Sequence, residues 1–272
     1  MRRSNTDPLA RRYRFAGTGA ALLVYAFLLL PSLLVIPISF GSADQIQFPP
    51  PVWSTRLYAE LFGSPSWMQA LRQSVIVAVA TTLLSLVVSV PAAYGMVRLT
   101  FPGKQAIIAL LMAPVAIPVI VTALGLYLYF SLFGLTGSTF GLVLAHTVYV
   151  SPFVMITIAA GVRKLDPTLE FAATMMGASR RTLLRRVLLP QLAPSMFAGG
   201  MFALLLSFDE VVLAWFLTGP NTATLPVKMY SSIQWEISPV IAAVSTLLTA
   251  LSLIVCCIAA ACQRTEGIEA RR

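Results

Sequence analysis

Two groups of residues in this chain have types and spacing suited to chemistry. The first is LEFAATMMGASRRTLLRRVLLPQLAP, residues 169–194, with four arginines, one acid (Glu170), an internal glycine and a closing proline. Charge of that density suits contact with a partner or an anionic surface. The second is the adjacent pair Asp209 and Glu210, with Phe208, Trp215 and Trp235 close in sequence. Carboxylates beside aromatic rings can hold a cation, through ion pairing and through attraction of an ammonium group to a ring face. Neither group is a catalytic set, and no catalytic or metal-ligating residue is assigned. His146 is the only histidine, has no HExxH partner and reads as a polar packing contact. Cys256, Cys257 and Cys262 lie in the last apolar run with a spacing that fits no zinc motif.

The elements that position these residues follow from composition. The 272 residues are 58% apolar and 11% charged, with a mean hydropathy of +0.84, whereas soluble domains carry about 25% charged residues. The apolar runs are long enough to cross the roughly 30 Å of a bilayer interior. Six spans are expected, at about 16–40, 69–97, 105–133, 139–162, 192–218 and 238–262. They must be helical, because a backbone in lipid has to satisfy its own hydrogen bonds. Pro114 and Pro118 should kink the third. The first apolar run exceeds a signal-peptide core, so no cleavable signal is expected.

Basic residues set the orientation. Five arginines precede the first span; Arg98 and Lys104 follow the second; Arg163, Lys164, Arg180, Arg181, Arg185 and Arg186 lie between the fourth and fifth; Arg264, Arg271 and Arg272 end the chain. That places sixteen on one side, against Arg56, Arg72 and Lys228 on the other. The positive-inside rule then predicts both termini and the 163–190 insert in the cytoplasm. The net charge of +9 needs no nucleic acid to explain it. The outer loop, about 41–68, is long enough for an interfacial helix, with Trp53, Tyr58 and Trp67 as membrane-surface anchors or binding-protein contacts.

Within the insert, Asp166 suits an N-cap and Pro167 a first helical position. Leu169, Ala172, Ala173 and Met176 share one helical face. Gly177 can end the helix in the left-handed conformation, Ser179 can cap a second, and Pro190 ends the charged stretch. Two short helices at an angle are expected. They could lie on anionic lipid, form a solvated connector, or dock on a cytoplasmic protein. The two alanines favour docking, because small side chains admit another surface.

At this point the chain resembles the inner-membrane permeases of bacterial binding-protein-dependent ABC importers. Their "EAA" loop is matched by Ala172, Ala173, Gly177, Val187, Leu189 and Pro190, although Phe171 stands where the glutamate is expected and the acid, Glu170, lies one residue earlier. PAAYGMVRLTFPGK (91–104), APVAIPVIVTALGLYLYF (113–130) and GLVLAHTVYVSPFVMITIAAGVRKLDP (141–167) extend the resemblance, and residues 207–248 look most like the second permease subunit of spermidine/putrescine importers. The resemblance implies an all-α polytopic membrane protein with six transmembrane helices, the type I ABC importer permease fold. Residues 1–68 would be a cytoplasmic tail, first span and outer loop. Residues 69–262 would form the transmembrane domain with the coupling loop 163–190, and 263–272 a cytoplasmic tail. It further implies a second permease subunit, two cytoplasmic ATPase subunits, an external substrate-binding protein, and a bacterial inner-membrane location.

Under that reading Glu170, Ala172, Ala173 and Gly177 couple the permease to an ATPase, and Asp209, Glu210 and Trp215 line the substrate path. Neighbouring acids in a helix point about 100° apart, so one should serve cargo and the other a packing or interface contact, with Lys228 or Arg72 as partners. The chain has no GxxxxGK[ST] loop, so it binds no cofactor and ATP with its magnesium would sit on the partner ATPase. The alternatives are a stand-alone secondary transporter or channel with a lipid-binding cytoplasmic loop, and a membrane enzyme. The first usually needs ionisable groups in several spans and the second a nucleophile–base set; the spans other than the fifth are nearly free of acids.

Overall fold

The computed structural model describes residues 8–42, 46–235 and 238–269, without the side chains of residues 8–16 and 255–269. The cysteines and the terminal arginines therefore lie outside the described side chains. Among the described residues, regular structure is helical apart from one antiparallel bridge, Gly41 to Trp53. The order is α1 (Pro8–Ser39), α2 (Arg56–Gly63), α3 (Pro65–Arg98), α4 (Lys104–Ala116), α5 (Val119–Ser131), α6 (Thr139–Lys164), α7 (Pro167–Met175), α8 (Arg180–Thr182), α9 (Leu189–Asp209), α10 (Val212–Leu217), α11 (Leu225–Trp235) and α12 (Val240–Glu269). A wider, π-type turn, Leu183–Leu188, joins α8 to α9.

Among the described residues, four helical stretches are long and apolar enough to cross a membrane: Gly17–Ser39, Pro65–Arg98, Thr139–Lys164 and Arg180–Asp209. A fifth is added if the bent pair α4–α5 counts as one span. The fold is thus all-α and membrane-spanning with four to five such stretches, short of the six expected. The third expected span is a break of 108°, not a kink. A residue before proline is pushed out of the helical region, and Ile117, before Pro118, is extended at φ −89°, ψ 133°. The sixth falls on α12, where Val240–Ile254 is the apolar part within the described side chains.

The chain divides into two compact units, residues 1–65 with 232–272, and residues 66–231. In the first, α12 packs against α1 and α2. Leu57 and Leu61, one turn apart on α2, are buried. Tyr58 meets Ser39 through its hydroxyl at 2.8 Å and lies 5.3 Å from Phe40, centroid to centroid.

In the second unit α6 is the centre, with 67% of its apolar window buried, against 33% for α3 and 28% for the α8–α9 run. Its closest neighbour is α9. Helices in lipid gain little from excluding water, so they associate through small residues that let backbones approach. A Cβ on Gly161 would collide with the side chain of Ser195, and one on Gly199 would touch Val154 and Thr157. Farther along, His146 Nδ1 meets Ser207 Oγ at 2.9 Å, both residues buried. Contacts advance along α9 as they recede along α6, so the two helices are antiparallel. On another side of α6, the α5–α6 turn meets the α10–α11 turn, with Gly137 N–H donating to Leu217 O at 2.8 Å.

The α6–α9 contact yields a prediction. Gly161→Leu should overpack this seam and destabilise the unit by about 1–3 kcal/mol or more, read as a lower thermal midpoint of the purified protein. Gly125→Leu, where a Cβ meets nothing within 4 Å, should leave the midpoint near its parental value.

Candidate functional site

The insert is built around α7. Asp166 accepts a hydrogen bond from Thr168 N–H at 2.9 Å, and Pro167 takes the first helical position. The Thr168 N–H, then its hydroxyl, hold the Asp166 carboxyl below the usual carboxylate range, so the cap's contribution is complete above that range and is lost as pH falls to the lowered value beneath it. At the other end Ala178 N–H bonds Ala173 O and Gly177 N–H bonds Thr174 O, each at 3.0 Å. That pair is the Schellman arrangement, and it needs Gly177 at φ +79°. No atom lies within 4 Å of where a Gly177 Cβ would sit, so the constraint is conformational.

The faces of α7 divide the expected coupling residues. Leu169, Phe171, Ala172, Met175 and Met176 are exposed, Met175 at 70% and Met176 at 82%. Ala173 is buried at 6% and Glu170 is turned inward on the same side. Glu170 Oε1 accepts from Arg98 Nε at 3.0 Å, and its Oε2 accepts from Tyr94 Oη at 2.7 Å. Arg98 also donates from Nη2 to Leu165 O at 2.7 Å. The expectation that both alanines share an outward contact face is therefore corrected. Ala173 lets α7 approach its own chain, where it packs on Leu183–Leu188, and the outward face is larger and more apolar than two alanines suggest. Sequence reasoning gives Arg98 a part only in orientation and Tyr94 none, and neither a place in the site; their one signal is the i, i+4 spacing of two long polar side chains at the end of an apolar run.

The second helix of the insert is also different. Ser179 caps α8 by accepting from Thr182 N–H at 3.3 Å, but the helix then runs unbroken into α9. Pro190 does not end it. The wide turn before it shifts the ladder, with Leu189 N–H reaching back five residues to Leu184 O, and such turns absorb a proline that would otherwise clash with the preceding carbonyls.

The two acids lie at the other end of α9, at a break and not in mid-helix. Asp209 is the last residue of α9 and is exposed. Glu210 is extended at φ −73°, ψ 115°, and its Oε1 accepts from Leu213 N–H at 2.9 Å, occupying one of the free donors at the start of α10. Trp215 stands on α10 with its ring edge-on to Tyr230, 4.9 Å between centroids at 80°. Lys228 lies 5.5 Å from the centre of the Trp67 ring, and Trp67 is buried at 5%. Trp67 is thus a packed residue, while Trp53 remains exposed. Among the described residues no group of three or more His, Cys, Asp or Glu could hold a metal ion.

This arrangement has known counterparts. Residues 85–264 match the model of the family described as binding-protein-dependent transport system inner membrane component. The chain is 31% identical over 236 residues to the spermidine/putrescine transport system permease protein PotC of Escherichia coli (strain K12), covering 87% of this chain and 89% of that protein. It is 31% identical over 234 residues to the putrescine transport system permease protein PotI of the same strain, covering 84% and 83%. It is 28% identical over 211 residues to the trehalose transport system permease protein SugB of Mycobacterium tuberculosis (strain CDC 1551 / Oshkosh), covering 76% and 77%. Among solved structures, a chain of a bacterial ABC transporter involved in the import of alginate shares the fold, with a TM-score of 0.75 at 15% identity over 96% of this chain and 99% of that one. The chain belongs to the inner-membrane permease subunits of binding-protein-dependent ABC importers.

Proposed function

We propose that this permease forms half of the translocation path of an importer for small polyamines of the putrescine or spermidine type. It would sit in a bacterial inner membrane with six spans and both termini in the cytoplasm. A second permease, two ATPase subunits carrying ATP and magnesium, and an external binding protein would complete the complex. The observation that carries the coupling reading is α7. It is a nine-residue helix, capped at both ends, that turns its acid inward and leaves Phe171, Met175 and Met176 exposed. A groove on an ATPase is the natural cover for such a knob. Phe171 replaces an acid with apolar area there, so docking would rest on burial more than on an ion pair.

The cargo reading rests on the relatives named for spermidine and putrescine and on the division of labour between the acids. Glu210 is engaged with the start of α10. Asp209 is exposed at the break, and with Trp215 it would meet an ammonium group. Another small polar solute is the second reading, favoured by the trehalose permease at 28% identity.

Four outcomes are expected. A cytoplasm-only reporter fused after Arg272 should be active, and activity of a periplasm-only reporter there would overturn the orientation. Gly177→Val forces a side chain into positive φ at a cost of about 1–2 kcal/mol; it should weaken co-purification of the ATPase while the protein still inserts. Asp209→Asn should lower putrescine uptake by about tenfold, in keeping with loss of one charge-assisted contact, with the complex intact. Glu210→Gln keeps a side-chain oxygen for Leu213 N–H and should retain most uptake. Parental uptake in Asp209→Asn would remove it from the path.

A further inference from the structure

The interaction of Glu170 with α3 has a consequence for how α7 can act. Both carboxylate oxygens are used, one by Arg98 and one by Tyr94, which stand one turn apart on α3. Arg98 forks, with its second contact on the carbonyl of Leu165, the residue where α6 ends. The Arg98 and Glu170 side chains are 18% and 14% exposed. The Arg56–Glu60 pair, by contrast, is 50% and 42% exposed and joins two turns of one helix. That pair spans one turn of α2, with Arg56 also donating to Ser42 O at 3.1 Å, whereas the Arg98–Glu170 pair joins residues 72 positions apart on different helices. A nine-residue helix is too short to hold its place alone. It rests on the Leu183–Leu188 turn and on this polar clasp.

We infer that Glu170 is a positioning residue: with Arg98 and Tyr94 it clamps α7 to the end of α3, so that displacement of α7 moves α3 and the α6 terminus together. Glu170 then faces no partner, and partner contact falls to the opposite, apolar face. The coupling consequence rests on the importer reading above; the clamp itself does not.

The test uses the assembled complex of permeases and ATPases, with Arg98→Ala, Glu170→Ala, Tyr94→Phe and the exchanged pair Arg98→Glu with Glu170→Arg. Hydrogen exchange of the amides of residues 167–176 reads the clamp directly. Arg98→Ala and Glu170→Ala should each raise it about tenfold, as expected when a local element loses its anchor, and Tyr94→Phe should raise it less. Stimulation of ATP hydrolysis by the binding protein reads coupling. It should fall about fivefold or more in both alanine variants while the ATPases still co-purify. The exchanged pair should recover part of both, which a purely structural loss would not. Arg98→Lys guards against misfolding. It keeps the charge but cannot bridge Glu170 and Leu165 O, and it should show an intermediate loss. Parental exchange and parental stimulation in Arg98→Ala would overturn the clamp. So would a Glu170→Ala protein that loses its ATPases while Arg98→Ala keeps them, since Glu170 would then touch the partner. A parental complex with no binding-protein stimulation would count against the importer reading alone, and the exchange data would still decide the clamp.

Discussion

The second unit depends on how closely α6 and α9 can approach. In hydrocarbon, burying apolar side chains against each other gains little over burying them in lipid, so the seam is held by contact distance and by a few polar groups. Gly161 against Ser195, Gly199 against Val154 and Thr157, and His146 against Ser207 set that distance at three levels. Because α9 is held along its length, both of its ends are placed. One end carries the wide turn that supports α7. The other carries the break that exposes Asp209 and lets Glu210 reach α10. The two features of chemical interest are thus opposite ends of one anchored helix.

The short helix α7 separates two jobs that a sequence pattern merges. Its inner face carries charge and a buried alanine, and its outer face carries Phe171, Met175 and Met176. Methionine adapts its shape more readily than branched residues, which would suit the docking role proposed for this face. Hydrophobic contact is also tolerant of small shifts in a way that a directional ion pair is not.

What the sequence showed was mostly local. Asp166–Pro167, Gly177 and Ser179 act on neighbours within a turn or so, and each does in the fold what its residue type suggests. The two prolines announced a disturbance near residue 117 but not its size, since the angle follows from the torsions of Ile117 and Pro118 and from packing on α6. The break at Glu210 had no signal, because Ser207 to Leu213 contains neither glycine nor proline; it depends on a carboxylate reaching a backbone N–H. Pro190 ends the charged stretch but leaves the helix unbroken, because a change of turn width upstream accommodates it. The Tyr94–Arg98–Glu170 cluster and the Lys228–Trp67 contact join residues too distant in sequence for any spacing rule to find.

The separation of Arg98 from Glu170 also bears on how the chain is made. Arg98 leaves the ribosome 72 residues before its carboxylate partner exists, an interval of roughly 4–14 s at ordinary translation rates. During that time the guanidinium lacks this carboxylate and must be solvated by water or paired with another anion, while α4, α5 and α6 follow. Once Glu170 emerges, the same charge becomes an internal link. The joint between α3 and α7 therefore closes only after α4, α5 and α6 have been made, so this link is a late one in the order of synthesis.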